Sequence, residues 1–226
     1  MFDRLNRALQ GALDPDKVNP RLRQPTLETL EPGDVVSMWD YGDAVVQAVL
    51  DCREELNRRV TEWRWNLLDD GRMLSVAPDG NVLYEHTAVL HQNSAEFETL
   101  TCDPEEGGVL KAFEARVREG TAARNPTLFE FEGHVYRVLS TGIFDARPVG
   151  ARTFPPTEVW RDINPTNPGD NVYFELEPTE EVPEGESGAD VLGIWTSHIA
   201  LLVGRDLKPA DVQAIYPRSE QEGSAR

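Results

Sequence analysis

The side chains best suited to chemistry are few in this sequence and widely spaced. Its four histidines are His86, His91, His134 and His198. His86 and His91 stand five residues apart, and on a continuous strand an odd spacing puts two side chains on opposite faces. Neither belongs to a Glu-x-x-His pair that would bring ligands together on a helix. Ordinary surface or core histidines are expected, and no metal site. Thr196-Ser197-His198 sets a hydroxyl beside an imidazole, the pairing a nucleophilic hydrolase uses. Read as strand, adjacent residues point to opposite faces, so no Ser197–His198 hydrogen bond is expected. No Gly-x-Ser-x-Gly elbow occurs, and the sequence nominates no catalytic residue.

Carboxylates offer more. Asp162, Asn164, Asn167, Asp170 and Asn171 crowd one turn and could supply oxygen ligands, but the central Gly and terminal Glu of an EF-hand loop are missing. Asx-rich turns hydrogen-bond their own backbone in the same way. Glu175, Glu177, Glu180, Glu181, Glu184, Glu186 and Asp190 form the densest charge feature. Two readings stand: a solvated loop, or a surface that steers a basic partner, with Glu180, Glu181, Glu184 and Glu186 as the partner-binding residues. Neither glycine-rich phosphate-loop pattern appears, and no cofactor is expected.

Composition narrows the classes further. Asp and Glu number 40 against 22 Lys and Arg among 226 residues, a formal net charge of −18. Such a field repels phosphate backbones, so nucleic acid is not expected as a partner. Cys52 and Cys102 are far apart and outside any paired-cysteine motif, which speaks against a disulfide framework. No 18-residue apolar run occurs, and residues 1–13 lack the apolar core of a signal peptide. A cytoplasmic protein that is not an integral membrane protein is the expectation.

The elements follow from periodicity. Phe2, Leu5, Leu9 and Leu13 make one helical stripe, an amphipathic helix followed by a proline-punctuated linker to residue 29. Pro32-Gly33-Asp34 is a turn that launches a strand, and Ala44–Leu50 is a second. The charged stretch 51–59 reads as a hairpin extension or a short helical turn. Glu62–Leu68, Met73–Val76 and Val82–Tyr84 continue a first β block spanning 30–105. Val109, Leu110, Phe113 and Val117, between Gly107-Gly108 and Gly120, predict a helix within 106–122. A second block, 123–216, contains Leu128–Phe131, His134–Leu139, Val172–Glu177, Val191–Trp195 and His198–Val203. It ends in a short helix from Pro209 to Ile215, and residues 217–226 form a tail. The expected class is mainly β with a few short helices, as two related antiparallel blocks, small barrels or bent sheets.

The blocks echo one another. Thr61-Glu62-Trp63-Arg64-Trp65-Asn66 with the Gly71 turn and Met73–Val76 matches Thr157-Glu158-Val159-Trp160-Arg161-Asp162 with the Gly169 turn and Val172–Phe174. An internal duplication is expected, with Trp65 and Trp160 as core anchors. The segments Leu30–Val35, Glu62–Val76, Gly133–Val138 and Trp160–Leu176, about half the chain, resemble bacterial domain-of-unknown-function families found beside phage-shock-protein-A-like membrane-stress and tellurite-resistance genes. They are motifs of packing, and Gly193–Ile199 departs from the pattern. The resemblance implies a non-catalytic binding or scaffold protein, accessory to a membrane- or envelope-stress system, with a protein partner, membrane-associated or not. The alternative is an enzyme or small-ligand binder using a cleft between the β blocks. A pocket of converging titratable groups would favour the second, and a flat apolar patch the first.

Overall fold

The Pro32-Gly33-Asp34 turn launches the first strand as its composition predicts. Gly33 takes φ +99°, and the buried Asp34 carboxylate accepts the backbone amides of Glu31 and Arg218, each at 2.9 Å. The computed structural model describes residues 24–56, 58–106, 108–150, 171–180 and 191–218. Over these residues the chain is mainly β. Its strands are β1 (Val35–Met38), β2 (Gly42–Leu56), β3 (Arg59–Leu68), β4 (Met73–Ala77), β5 (Gly80–Leu90), β6 (Leu128–Phe131), β7 (His134–Pro148), β8 (Asn171–Pro178), β9 (Val191–Trp195), β10 (Ile199–Asp206) and β11 (Val212–Tyr216). Helices α1 (Ala95–Thr101) and α2 (Val109–Arg118) fall between β5 and β6.

Every pairing is antiparallel, in the order β11-β1-β2-β3-β4-β5-β10-β9-β8-β7-β6. Leu50–Arg53 of β2 also pairs with Asp145–Pro148 of β7. That short seam closes β2-β3-β4-β5-β10-β9-β8-β7 into an eight-stranded barrel. The two β blocks read from the sequence therefore share one closed sheet, joined at β2–β7 and at β5–β10.

Apolar residues fill three layers. The barrel interior holds Leu50, Cys52, Trp65, Phe144, Ile194 and Leu202 among others. A second core, with Leu110, Phe113, Phe129 and Phe174, lies between the helices and the outer barrel wall. The third, with Val36, Met38, Val46 and Leu74, packs the β1–β11 flap against β2–β5. The mostly apolar run 44–50 serves two of these layers. A register shift between Val46 and Ala48 is a bulge that turns the chain over, so Val46 joins the flap core and Ala48 the interior.

Two sequence expectations are corrected. Pro209–Asp211 is only a 3-10 turn, and Val212–Tyr216 continues as β11 rather than as helix. Hydrogen bonding of this segment to the open edge of β1 outweighs five residues of weak helical pattern. Helix α1 was unforeseen; Ser94 caps it, its Oγ accepting the Phe97 amide at 3.2 Å. The helix expected within 106–122 is α2, and the charged stretch 51–59 extends the β2–β3 hairpin. The N-terminal stripe, and Thr157–Asp162 with the Gly169 turn of the proposed duplication, lie outside the described residues; its Val172–Phe174 segment lies in β8. No helix among the described residues is long and apolar enough to cross a membrane.

Candidate functional site

Alternation on β3 points Trp63 and Trp65 to the same side, into the barrel. Their rings meet edge to face at 6.0 Å, and Trp65 meets Phe144 at 5.1 Å. Tyr173 of β8 completes the cluster, 5.9 Å from Trp63 and 6.2 Å from Phe144. This aromatic plug fills the middle of the barrel. Above it, at the end marked by the β2–β3 and β4–β5 turns, the interior opens into a cavity of about 490 Å³.

The polar lining of that mouth is acidic. Glu54 lies two residues beyond Cys52 on the same inner face of β2, and Glu175 lies two beyond Tyr173 on β8. Asp79 of the β4–β5 turn and Asp206 at the end of β10 also line the opening, with Tyr84 and the hydroxyls of Thr61 and Ser75. No Lys or Arg is among the described residues that line it.

Two of the carboxylates are held in place. Tyr173 donates its hydroxyl to Glu54 Oε2 at 3.1 Å, and Ser140 donates to Glu175 Oε2 at 2.6 Å. Ser140 faces inward because β7 is bulged between Val138 and Ser140. Burial, and after it the Glu54 charge and hydrogen bond, push the Tyr173 phenol well above its usual range. The phenol thus stays protonated as a donor and does not serve as a base near neutral pH. Gly142 and Gly204 make the room. A Cβ on Gly142 would stand 2.1 Å from Glu54 Oε1 and 2.6 Å from the Tyr173 ring, and one on Gly204 would stand 2.7 Å from the Tyr84 ring.

A second, outer groove runs along the β2–β7 seam, but its charges are of both signs. Arg53, Arg64 and Arg147 line it together with Asp51, Glu62 and Asp145, and Arg64 pairs with Asp51 at 2.8 Å. Among the described residues, the lining of the inner mouth has no such neutralisation.

Sequence-nominated residues mostly fall elsewhere. Ser197 and His198 occupy the β9–β10 turn, not a strand, so the expectation that they could not meet is corrected: Ser197 Oγ lies 3.1 Å from His198 Nδ1. The turn folds the two side chains together, with the Thr196 amide donating to His198 O at 2.9 Å. The His91 ring stands 4.8 Å from that of His198. The group sits at the opposite end of β10 from the mouth and lines neither cavity. His134 begins β7 on the surface. Glu180 is exposed just beyond β8; Glu181, Glu184, Glu186 and the Asx-rich turn lie outside the described residues, except Asn171, which is buried at the start of β8. The part of the acidic run on β8 keeps to one face: Glu175 lines the mouth, and Glu177, two residues on, pairs with Arg137. Glu54, Asp79 and Asp206 were missed: Glu54 sits among charged neighbours near the end of β2, Asp79 lies in a turn and Asp206 is the last residue of β10.

His86 shares the inner face by its register with Leu202. Its Nε2 is buried without a hydrogen-bond partner among the described residues, and burial lowers its pKa. The unfolded chain, with a usual value of about 6.5, then binds the proton more readily than the folded one. The stability this contributes is present above about pH 6.5 and is lost as pH falls from there through the lower folded value. A His86→Gln variant is expected to lose less stability than the parent between pH 7 and pH 5.5 in urea titrations; equal losses would show that His86 carries no such linkage.

No family model matches the chain, and neither a curated protein nor a solved structure matches it.

Proposed function

We propose that the barrel mouth binds small organic cations. The observation that carries this reading is the lining itself: four carboxylates and four aromatic rings around one concave site, without a basic side chain among the described residues. Its volume suits a small ligand, since such pockets span about 300–1,000 Å³. An ammonium over the face of Trp or Tyr gains about 0.5–2 kcal/mol, more as water is excluded. Carboxylates already fixed by Tyr173 and Ser140 lose little freedom on accepting its hydrogen bonds. The net charge of −18 steers cations towards the molecule. Converging titratable groups in a concavity favour ligand binding over pure scaffolding. The accessory role in envelope stress rests on the family resemblance alone.

Calorimetry with butylammonium and with its neutral isostere 1-butanol tests the reading. The amine is expected to bind and the alcohol not, with affinity falling as salt is raised. Glu54→Gln should weaken the amine about tenfold, in line with loss of a charge-assisted hydrogen bond of about 1.5 kcal/mol. Equal binding of the alcohol, or no detectable amine binding at millimolar concentration, would remove the proposal.

A further inference from the structure

We infer that the ligand of this mouth is a linear dication, an α,ω-diammonium whose two ends reach opposite walls; the inference rests on the cation-binding reading of the same cavity. The strand order places the acids at two poles. Going round the barrel, β7 is flanked by β2 and β8, which carry Glu54 and Glu175. β5 is flanked by β4 and β10; Asp79 sits in the β4–β5 turn and Asp206 at the end of β10. β7 and β5 are four places apart in a ring of eight, so the pairs face each other across the opening.

The poles are built alike. At one, Tyr173 stands beside Glu54, over the missing side chain of Gly142. At the other, Tyr84 packs over Gly204, two residues before Asp206. Each offers carboxylates next to an aromatic ring, the chemistry that receives an ammonium. Between them Trp63 and Trp65 supply an apolar floor for methylene groups.

Distance then excludes a compact ion as the match for both ends. Eight strands about 4.8 Å apart and tilted by about 40° enclose a backbone circle about 16 Å across. Carboxylates reaching in from opposite sides leave a gap wider than the roughly 2.8 Å hydrogen bonds of a single ammonium can bridge. Among the described residues no three His, Cys, Asp or Glu side chains converge closely enough to hold a metal ion. One ammonium would place a counter-charge at one acidic pair and leave the other pair without one. Two ammonium groups on a flexible chain give each acidic pair a cation, and the second binds intramolecularly once the first is seated.

The test is calorimetry on the full chain at low ionic strength with butylammonium, 1,4-diaminobutane, 1,6-diaminohexane, 1,8-diaminooctane and magnesium chloride as separate probes. The best diamine is expected to bind at least tenfold more tightly than butylammonium, with a maximum at one chain length. In an Asp79→Asn/Asp206→Asn variant, its folding checked by circular dichroism, the ratio of diamine to monoamine affinity should fall towards one. Diamines that bind no better than butylammonium would overturn the dication inference while leaving cation binding intact. Magnesium binding as tightly as the best diamine would also overturn it, in favour of a compact divalent ion. No binding by any amine would remove both readings.

Discussion

Replacing Trp65 by Ala is expected to lower the stability of the barrel by about 3–5 kcal/mol, the usual loss for a buried aromatic cut back to a methyl group. Trp65 is 2% exposed and meets two rings edge to face, Trp63 at 6.0 Å and Phe144 at 5.1 Å. Its neighbours are held by strands on both sides of the closing β2–β7 seam, so they cannot collapse freely into the space left behind. In urea the midpoint should fall with little change of slope, the signature of a stability loss without altered compactness. Trp65→Phe, which keeps a ring in contact with Phe144, should retain more than half of the lost stability. A Trp65→Ala loss below about 1 kcal/mol would mean that the barrel is not organised around this ring.

That residue marks how far the sequence could be read. Trp65 lies in an aromatic strand bounded by the Asp70-Gly71 turn, and local pattern alone predicts both strand and burial. The same holds for α2, where Val109, Leu110 and Phe113 fall on one helical face and become buried. Closure is another matter. The contacts that make the barrel join Leu50–Arg53 to Asp145–Pro148 and β5 to β10, more than ninety residues away in each case. No short-range periodicity encodes such partners. The segment Val212–Tyr216 shows the consequence: taken alone it follows a proline helix start, and only the open edge of β1 makes it a strand.

The mouth was hidden for a related reason. Its acids come from four separate strands or turns, and each looks locally like surface charge. Glu54 sits among Arg53, Glu55 and Asp51, which do face outward; only its place two residues after buried Cys52 hints at the inner side. Glu175 stands within an acidic stretch whose overall charge suggested a solvated loop. The Ser197–His198 contact was hidden by a different error. Extending β9 and β10 through the turn imposed strand alternation on residues whose backbone bends.

Gly193 offers the strictest check of the outer packing, because a single methyl group is the probe. Gly193 pairs with Phe174 on one side and with Leu201 on the other. The ring of Phe174, 0% exposed, lies directly over it: a Cβ at Gly193 would stand 2.0 Å from Cζ, 2.2 Å from Cε2 and 2.4 Å from Cε1. Those are ring atoms in a packed core, not the tip of a flexible chain. Gly193→Ala would by itself gain about 0.5–1 kcal/mol by restricting the unfolded chain. Overpacking is expected to exceed this gain, for a net loss of about 2–3 kcal/mol. The cause can be separated from a general intolerance of β9 to substitution. Phe174→Leu removes the obstructing ring, so the double variant should be more stable than the sum of the two single losses by about 1 kcal/mol or more. Additive losses would show that the ring is not what excludes a side chain at this position. A Gly193→Ala variant more stable than the parent would mean that Phe174 leaves the groove open, and that the packing between β8 and β9 differs from that described.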